Sequence, residues 1–416
     1  MFQKVEIARY KCIKYASISL SPFNILIGPN ASGKSTFLDS LAFIRDALET
    51  DVERAIRRRA SSLRELVWLN EADQGFEVAV EVQLPDDLKS NGYDRMRYEV
   101  GIGLDVSGAI AVAGENLWMV NTQMSPPAPP KAPVLFPTEP TGNGIVVRPA
   151  RKKPPAGYRL IVRKVVESGN DYFRSEKTDW NFMLRFSPQR LALSGIPEDQ
   201  DRFPTALWFR QAMLRNIQVL QLNSALMRRV CPSDAPRTFQ ADGSNLPVMV
   251  KLLQADAQRF SWWTNHLQTI LEDLEAVGVT ERPEDRSFYL VLTYRNGVAV
   301  PAWLLSDGTL RLLALTLLAY LPNQHQVFII EEPENGIHPK AVEAVFNALR
   351  SVYDGQVFLA THSPLVLALA RPEDLLVFGK TPSGATDIVN GPFHPVLREW
   401  QRETSLDTLF AAGVLG

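Results

Sequence analysis

Cysteine is scarce in this chain: Cys12 and Cys231 are the only two among 416 residues, and neither has a second Cys or His beside it at metal-ligand spacing. That excludes a disulfide framework or a zinc module as the organising principle. Long apolar runs are missing too. No stretch approaches the ~18 apolar residues of a membrane span, and Met1-Phe2-Gln3-Lys4-Val5-Glu6 lacks the apolar core of a signal peptide. No membrane association and a cytoplasmic location are expected. Excess charge of either sign is also absent, with 44 Lys plus Arg against 46 Asp plus Glu. Any nucleic-acid contact must therefore come from a local patch. There are no internal repeats or sustained heptads, which argues against solenoids and long coiled coils.

What remains is a chain of ordinary globular composition, 45% hydrophobic and 22% charged. It is more than twice the roughly 150 residues of a typical domain, so two or more units are expected. Strand-like alternation opens the sequence, and the nearly unbroken Phe23-Asn24-Ile25-Leu26-Ile27 reads as a buried strand. A helix is expected from about Asp51 to Val67, carrying Arg54, Arg57, Arg58, Arg59 and Arg64. Ten of the 29 prolines fall between Pro126 and Pro155, which predicts an extended, solvent-exposed insertion or linker there. From Leu246 to about Val277 the pattern is helical, with Trp262 and Trp263 expected in the core.

Gly28-Pro29-Asn30-Ala31-Ser32-Gly33-Lys34-Ser35 follows the buried strand, and Thr36, Phe37, Leu38 and Leu41 open a helical pattern. The segment fits G-x-x-x-x-G-K-[ST], whose glycines let backbone N–H groups curl inward around phosphate oxygens at a helix N-terminus. Lys34 then supplies a point charge for the β and γ phosphates, Ser35 a hydroxyl for Mg²⁺, and Thr36 lies near the α-phosphate. An ordinary glycine turn before a helix is the alternative, and the strand–loop–helix context counts against it.

A second apolar strand, Val327 to Ile330, ends in Glu331 and Glu332. Functional residues of parallel sheets lie at the C-terminal ends of strands, so one carboxylate can serve Mg²⁺ and the next can orient or deprotonate the attacking water. Pro333 to Pro339 and an amphipathic helix follow, then Val357-Phe358-Leu359-Ala360 delivers Thr361-His362 one β-α-β unit later. His362 is then placed to sense the γ-phosphate. Upstream, Ser306 is a natural N-cap, and Asp307, Gly308 and Thr309 open an apolar helix whose N–H groups suit a second anion. With the glycine loop occupied by its own phosphates, that second site calls for another protomer.

Together, Ile27 to Thr36, Leu305-Ser306-Asp307-Gly308-Thr309, Ile330 to Pro339 and Ala360-Thr361-His362-Ser363-Pro364 resemble an ABC-type ATPase head of the RecF, SMC and OLD group, often called AAA-type ATPases. The resemblance covers about residues 1–105 and 215–416. It implies an α/β P-loop NTPase fold with a mixed β-sheet lobe and a parallel-sheet and helical lobe, interrupted by a Pro-rich and α+β insertion. The implied units are 1–120, the first half of the head with Walker A; 121–156, the Pro-rich insertion; 157–300, a strand and helical insertion; and 301–416, the second half of the head.

The resemblance also implies a homodimer with two ATP molecules between the Walker A loop of one subunit and the Ser306–Gly308 signature of the other. Glu331 and Glu332 match Walker B, His362 the switch histidine, and Asn335, Gly336 and His338 lie in the D-loop. Lys11 stands where the group often has an Arg near the nucleotide, and Gln221 is the candidate Q-loop ligand for Mg²⁺. Two positions depart from the pattern: Glu331 replaces the usual Asp, and Asp307 replaces a signature glycine, placing a negative charge near a phosphate.

Two functions fit. One is an ATP-driven dimeric switch of the OLD-like, anti-phage kind gating a separately encoded nuclease or toxin effector, since too few residues follow His362 for an appended Toprim-type domain. The other is a RecF-like DNA-clamping ATPase, supported by the Arg54–Arg64 cluster and Arg151-Lys152-Lys153. A transporter subunit fits the Pro-rich segment and the Asp307 signature poorly.

Overall fold

The alternation at the N-terminus forms a hairpin, β1 (Phe2–Tyr10) and β2 (Ile13–Ser19), before β3 (Phe23–Ile27) runs through the glycine loop into α1 (Lys34–Glu49) and α2 (Val52–Arg57). The computed structural model describes residues 1–71, 74–124, 135–142, 144–147, 154–166, 169–322, 325–353, 355–398, 406–411 and 413. Six strands follow α2: β4 (Phe76–Gln83), β5 (Arg95–Leu104), β6 (Ile110–Val120), β7 (Tyr158–Val165), β8 (Asn170–Arg174) and β9 (Asn181–Leu184). Next come α3 (Pro204–Arg215), β10 (Ile217–Leu220), α4 (Ser224–Met227), α5 (Leu246–Gln254), α6 (Ala257–Gln268), β11 (Leu274–Glu281), β12 (Phe288–Tyr294) and β13 (Ala299–Pro301). The chain then runs through α7 (Asp307–Leu317), β14 (Val327–Glu331), α8 (Pro339–Arg350), β15 (Gln356–Ala360), α9 (Pro364–Leu369), β16 (Leu375–Lys380), β17 (Thr386–Asn390), α10 (Pro395–Arg398) and α11 (Leu406–Ala411).

Two large sheets result. One is antiparallel, in the order β2-β1-β4-β5-β6-β7-β8-β9; the other has the order β10-β14-β15-β3-β16-β17 and is parallel except for β17. Alternation along β3 sends Leu26 into the core shared with α1 and the antiparallel sheet, and Ile25 and Ile27 into the core shared with α5 to α9. The glycine-loop helix α1 is thereby held between the two sheets, with Phe37, Leu41 and Ile44 fully or nearly fully buried. Among the described residues no helix is long and apolar enough to cross a membrane.

Several local expectations change. The helix expected over Leu246–Val277 is two helices and the start of a strand, because Asp256 caps α6 afresh and β11 pairs with β12 from Leu274 onward. Trp263 is fully buried, with its indole N–H on Thr316 Oγ1 at 3.0 Å, but Trp262 is 53% exposed. Neighbouring residues on a helix point about 100° apart, so they do not share a face. The Pro-rich segment is not exposed throughout. Ile145 and Val146 are buried, their N–H groups are held by the Glu77 carboxylate, and β6 and β7 on either side of 121–156 are neighbours in one sheet. Arg151-Lys152-Lys153 lies outside the described residues.

The expected helix over Asp51–Val67 ends at Arg57, and its arginines are largely engaged. Arg54 pairs with Asp51, Arg57 with Glu53, and Arg58 with Glu49 and Asp46. Arg59 is withdrawn from the surface, its side chain only 9% exposed and bridging Asp39 at 2.6 Å and Asp46 at 2.8 Å on α1. It belongs to the packing of α2 on the glycine-loop helix and cannot join an exposed DNA-binding patch; Arg64 remains exposed. Replacing Arg59 removes one charged partner from each carboxylate, while Asp39 keeps Lys11 and Tyr10 and Asp46 keeps Arg45 and Arg58, so Arg59→Met is expected to cost about 2 kcal/mol, read as a lowered urea midpoint. Arg64→Ala should stay within about 0.5 kcal/mol of wild type.

Candidate functional site

The glycine loop lies at the C-terminal end of β3. Gly33 sits at φ 104°, a conformation that L side chains rarely adopt, and a Cβ there would press on Thr386 Oγ1. The Lys34 ammonium is folded onto the loop, donating to the Gly28 and Pro29 carbonyls at 2.9 Å each. Burial lowers its pKa, while Glu331 and Glu332 pull it back up.

A cleft of about 590 Å³ opens over the loop. Its lining brings together residues 30–36, Lys11, Glu331, Glu332 and His362 from four separate parts of the sequence. Ser35 Oγ donates to Glu331 Oε2 at 3.0 Å, joining the start of α1 to the end of β14. A hydroxyl and a carboxylate so placed are hard oxygen donors of the kind that suit Mg²⁺.

Glu332 takes a left-handed backbone, φ 48°, with its N–H on the Ala360 carbonyl at 2.7 Å. A non-glycine residue in that region costs of order 1–3 kcal/mol and persists only where its surroundings enforce it. Here the enforcement comes from β15 and from Asn335, whose side-chain amide donates to the Glu332 carboxylate. His362 follows β15 and faces the same cleft. Burial and the nearby Lys34 charge lower its pKa against the opposing pull of Glu332, which favours the neutral imidazole.

Lys11, also left-handed at φ 50°, reaches the cleft with its ammonium 2.6 Å from Asp39. Gln221 does not line the cleft. It follows β10, whose Leu220 pairs with Ile330, and so stands at the level of Glu331 on the sheet's outer strand.

Ser306, Asp307, Gly308 and Thr309 also lie away from the cleft lining. Ser306 Oγ caps α7 by accepting the Thr309 N–H at 3.1 Å. The Asp307 charge has a local partner: Arg228 pairs with its carboxylate and also donates to the Leu305 carbonyl at 2.9 Å and 3.1 Å. Gly308 is required for packing, since a Cβ there would sit 2.6 Å from the Gly336 carbonyl. The start of α7 thus rests directly on the Gly336 turn of its own chain. His338 caps α8, accepting the Lys340 N–H.

Three contributors were missed at the sequence level: Cys12, Lys380 and Glu334. Cys12 and Lys380 line the cleft. Glu334 accepts the Thr361 hydroxyl at 2.5 Å, tying the turn after β14 to the turn that carries His362, and burial raises its pKa. Lys380 had a readable signal, an apolar strand that ends on a charge as Val327–Glu331 does.

No curated relative matches the sequence. Among solved structures, an Smc head bound to the C-terminal winged-helix domain of ScpA superposes with a TM-score of 0.50 at 14% identity, covering 93% of this chain and 97% of its own. A Pyrococcus furiosus Smc head with an extended coiled coil, bound to the C-terminal domain of ScpA, gives 0.49 at 13% identity, covering 93% of this chain and 95% of its own. The Thermotoga maritima SMC head gives 0.44 at 11% identity, covering 94% and 98%. At this identity the first of these shows the fold alone, that of a P-loop ABC-type ATPase head. A profile described as AAA ATPase domain matches residues 1–83, over the glycine loop. Across residues 143–368, more than half of its length, the chain matches and belongs to the AAA-domain family described as "AAA domain, putative AbiEii toxin, Type IV TA system".

Proposed function

We propose that this AAA-family ATPase is a dimeric molecular switch: ATP closes two heads upon each other, hydrolysis reopens them, and the closed state gates a separately encoded nuclease or toxin effector in anti-phage defence. The observation that carries the switch is the division of the phosphate machinery. The cleft gathers Lys34, Ser35, Glu331, Glu332 and His362, while the capped N-terminus of α7 stands apart from that cleft with Ser306 and Asp307 exposed. An anion site on such a terminus can serve a second copy's nucleotide. The Arg228 pair with Asp307 removes the objection that a negative charge there would repel phosphate. The family description, which names a toxin and a toxin–antitoxin system, supports an effector role beyond ATP turnover.

In this reading Lys34 and the loop N–H groups hold the phosphates, and Ser35 and Glu331 would hold Mg²⁺, which when bound neutralises phosphate charge. Glu332 orients and deprotonates the attacking water from its fixed backbone position. His362 senses the γ-phosphate as a neutral donor, and the Glu334–Thr361 bond ties that histidine to the D-loop.

Glu332→Gln should lower kcat by roughly 10²–10⁴-fold while leaving ATP binding intact, and with ATP it should accumulate a dimer by size-exclusion light scattering. Equal turnover by wild type and variant would sink the switch. Because His362 is held below the ordinary imidazole pKa of ~6.5, the free enzyme loses kcat/KM only below that pH, and His362→Gln should abolish that acid limb. Coexpression with the neighbouring gene is expected to yield an ATP-dependent complex. A chain that protects cells from phage by itself would overturn the effector assignment.

A further inference from the structure

The turn between β16 and β17 is pinned from three directions. The Thr386 hydroxyl donates to the Ser32 carbonyl at 2.9 Å, and the Thr386 N–H donates to the Cys12 carbonyl at 2.9 Å, so the hairpin is bonded both to the glycine loop and to the turn between β1 and β2. The third tie comes from the Pro-rich segment. Glu139 accepts from Ser383 N at 3.1 Å and Ser383 Oγ at 2.8 Å, and the Thr138 N–H donates to Asp387 at 2.8 Å. Phe136 packs on His394 with ring centroids 4.9 Å apart and lies against Gly379, where a Cβ would meet its ring at 2.8 Å.

Lys380 ends β16, pairs in register with Thr386 and lines the nucleotide cleft. Its side chain is exposed and makes no ion pair or hydrogen bond among the described residues. Lys11, the other lysine at that end of the cleft, is already paired with Asp39. The sheet order locates Lys380 relative to the chemistry. Glu331, Glu332 and His362 come from β14 and β15 on one side of β3, and β16 lies on the other. A nucleotide whose γ-phosphate faces the carboxylates therefore turns its α-phosphate and ribose toward Lys380, Cys12 and Thr36.

Resting on the ATPase reading above, the geometry points to Lys380 as a nucleotide-binding residue that grips the α-phosphate and ribose end, with Glu139 of the Pro-rich segment as the positioning residue that holds its hairpin in place. The segment expected to be a free insertion thus serves the cleft. The Lys380 contact is common to ATP and ADP, so its loss lowers affinity for both alike and falls on KM more than on kcat.

The test is calorimetric titration of the full-length protein with ADP and a slowly hydrolysed ATP analogue, alongside steady-state kinetics. Lys380→Ala is expected to weaken both ligands by about tenfold, the loss of one charge-assisted hydrogen bond. Lys380→Arg should recover most of the affinity, and Glu139→Gln should show a smaller loss in the same direction. Because Lys380 is exposed, its variants should unfold thermally at the wild-type temperature. ADP affinity within twofold of wild type in Lys380→Ala, or a loss confined to kcat, overturns the proposal. Failure of the wild-type chain to bind any adenine nucleotide would instead remove the ATPase reading on which it rests.

Discussion

The cleft depends on the placement of β3, a five-residue strand buried at every position and hydrogen-bonded on both sides, to β15 and to β16. Its C-terminal end fixes where the glycine loop starts. The pairing with β15 brings Ala360 level with Leu26, which delivers Glu332 and His362 to one side of the loop. The pairing with β16 brings Val377 level with Ile27, which delivers Lys380 to the other. A one-residue slip in either register would turn every side chain to the opposite face and dismantle both cores, so packing along the sheet and geometry at its edge are one constraint.

From that edge a chain of short contacts leads to α7. Glu332 is bound to Ala360 through its backbone and to Asn335 through its side chain; Glu334 is bound to Thr361; the Gly336 carbonyl abuts Gly308; and Arg228 clamps Asp307 to the loop after α4. Each link is a hydrogen bond, an ion pair or a van der Waals contact between backbones, although the Asn335–Glu332 and Arg228–Asp307 links run between exposed side chains. A shift of the β14 end would be felt at α7 without passing through the core. Such a path supports coupling only if the elements have two arrangements that the nucleotide distinguishes, which is why the strained Glu332 backbone matters. Its left-handed conformation is held from two sides, by the Ala360 carbonyl and by the Asn335 side chain.

The parts legible in the sequence are those whose geometry is local. A phosphate loop needs glycines and a lysine at fixed offsets, a buried parallel strand needs an unbroken apolar run, and its exit is where functional residues stand; each condition is satisfied within about ten residues. Contacts set by distant pairing were not legible. Nothing near Arg59 announces that Asp39 and Asp46 will face it from α1, so five arginines in a short span looked like an exposed basic face. Pro-rich composition excludes helix, but it does not say whether the chain is solvated or docked, and Glu77 and Ser383 settle that from opposite lobes. The end of α6 and start of β11 were hidden for the same reason, because β11 exists through its pairing with β12.

On the proposed function, the sheet order would also separate affinity from switching. A ligand shifts a conformational equilibrium only by its differential affinity for the two states, and ATP and ADP differ only at the γ-phosphate. In the proposed reading, groups on the β14 and β15 side of the loop, Glu331, Glu332 and His362, which line the cleft, would meet the part of the ligand that changes. Groups on the β16 side, Lys380 first among them, would meet the part that does not. On that reading, binding strength supplied by Lys380 could be raised or lowered without altering the free energy that hydrolysis would release into the proposed switch. The Pro-rich segment, bonded to the β16–β17 hairpin and to Glu77 of the antiparallel sheet, would then act on the first quantity and leave the second to the carboxylates and the histidine.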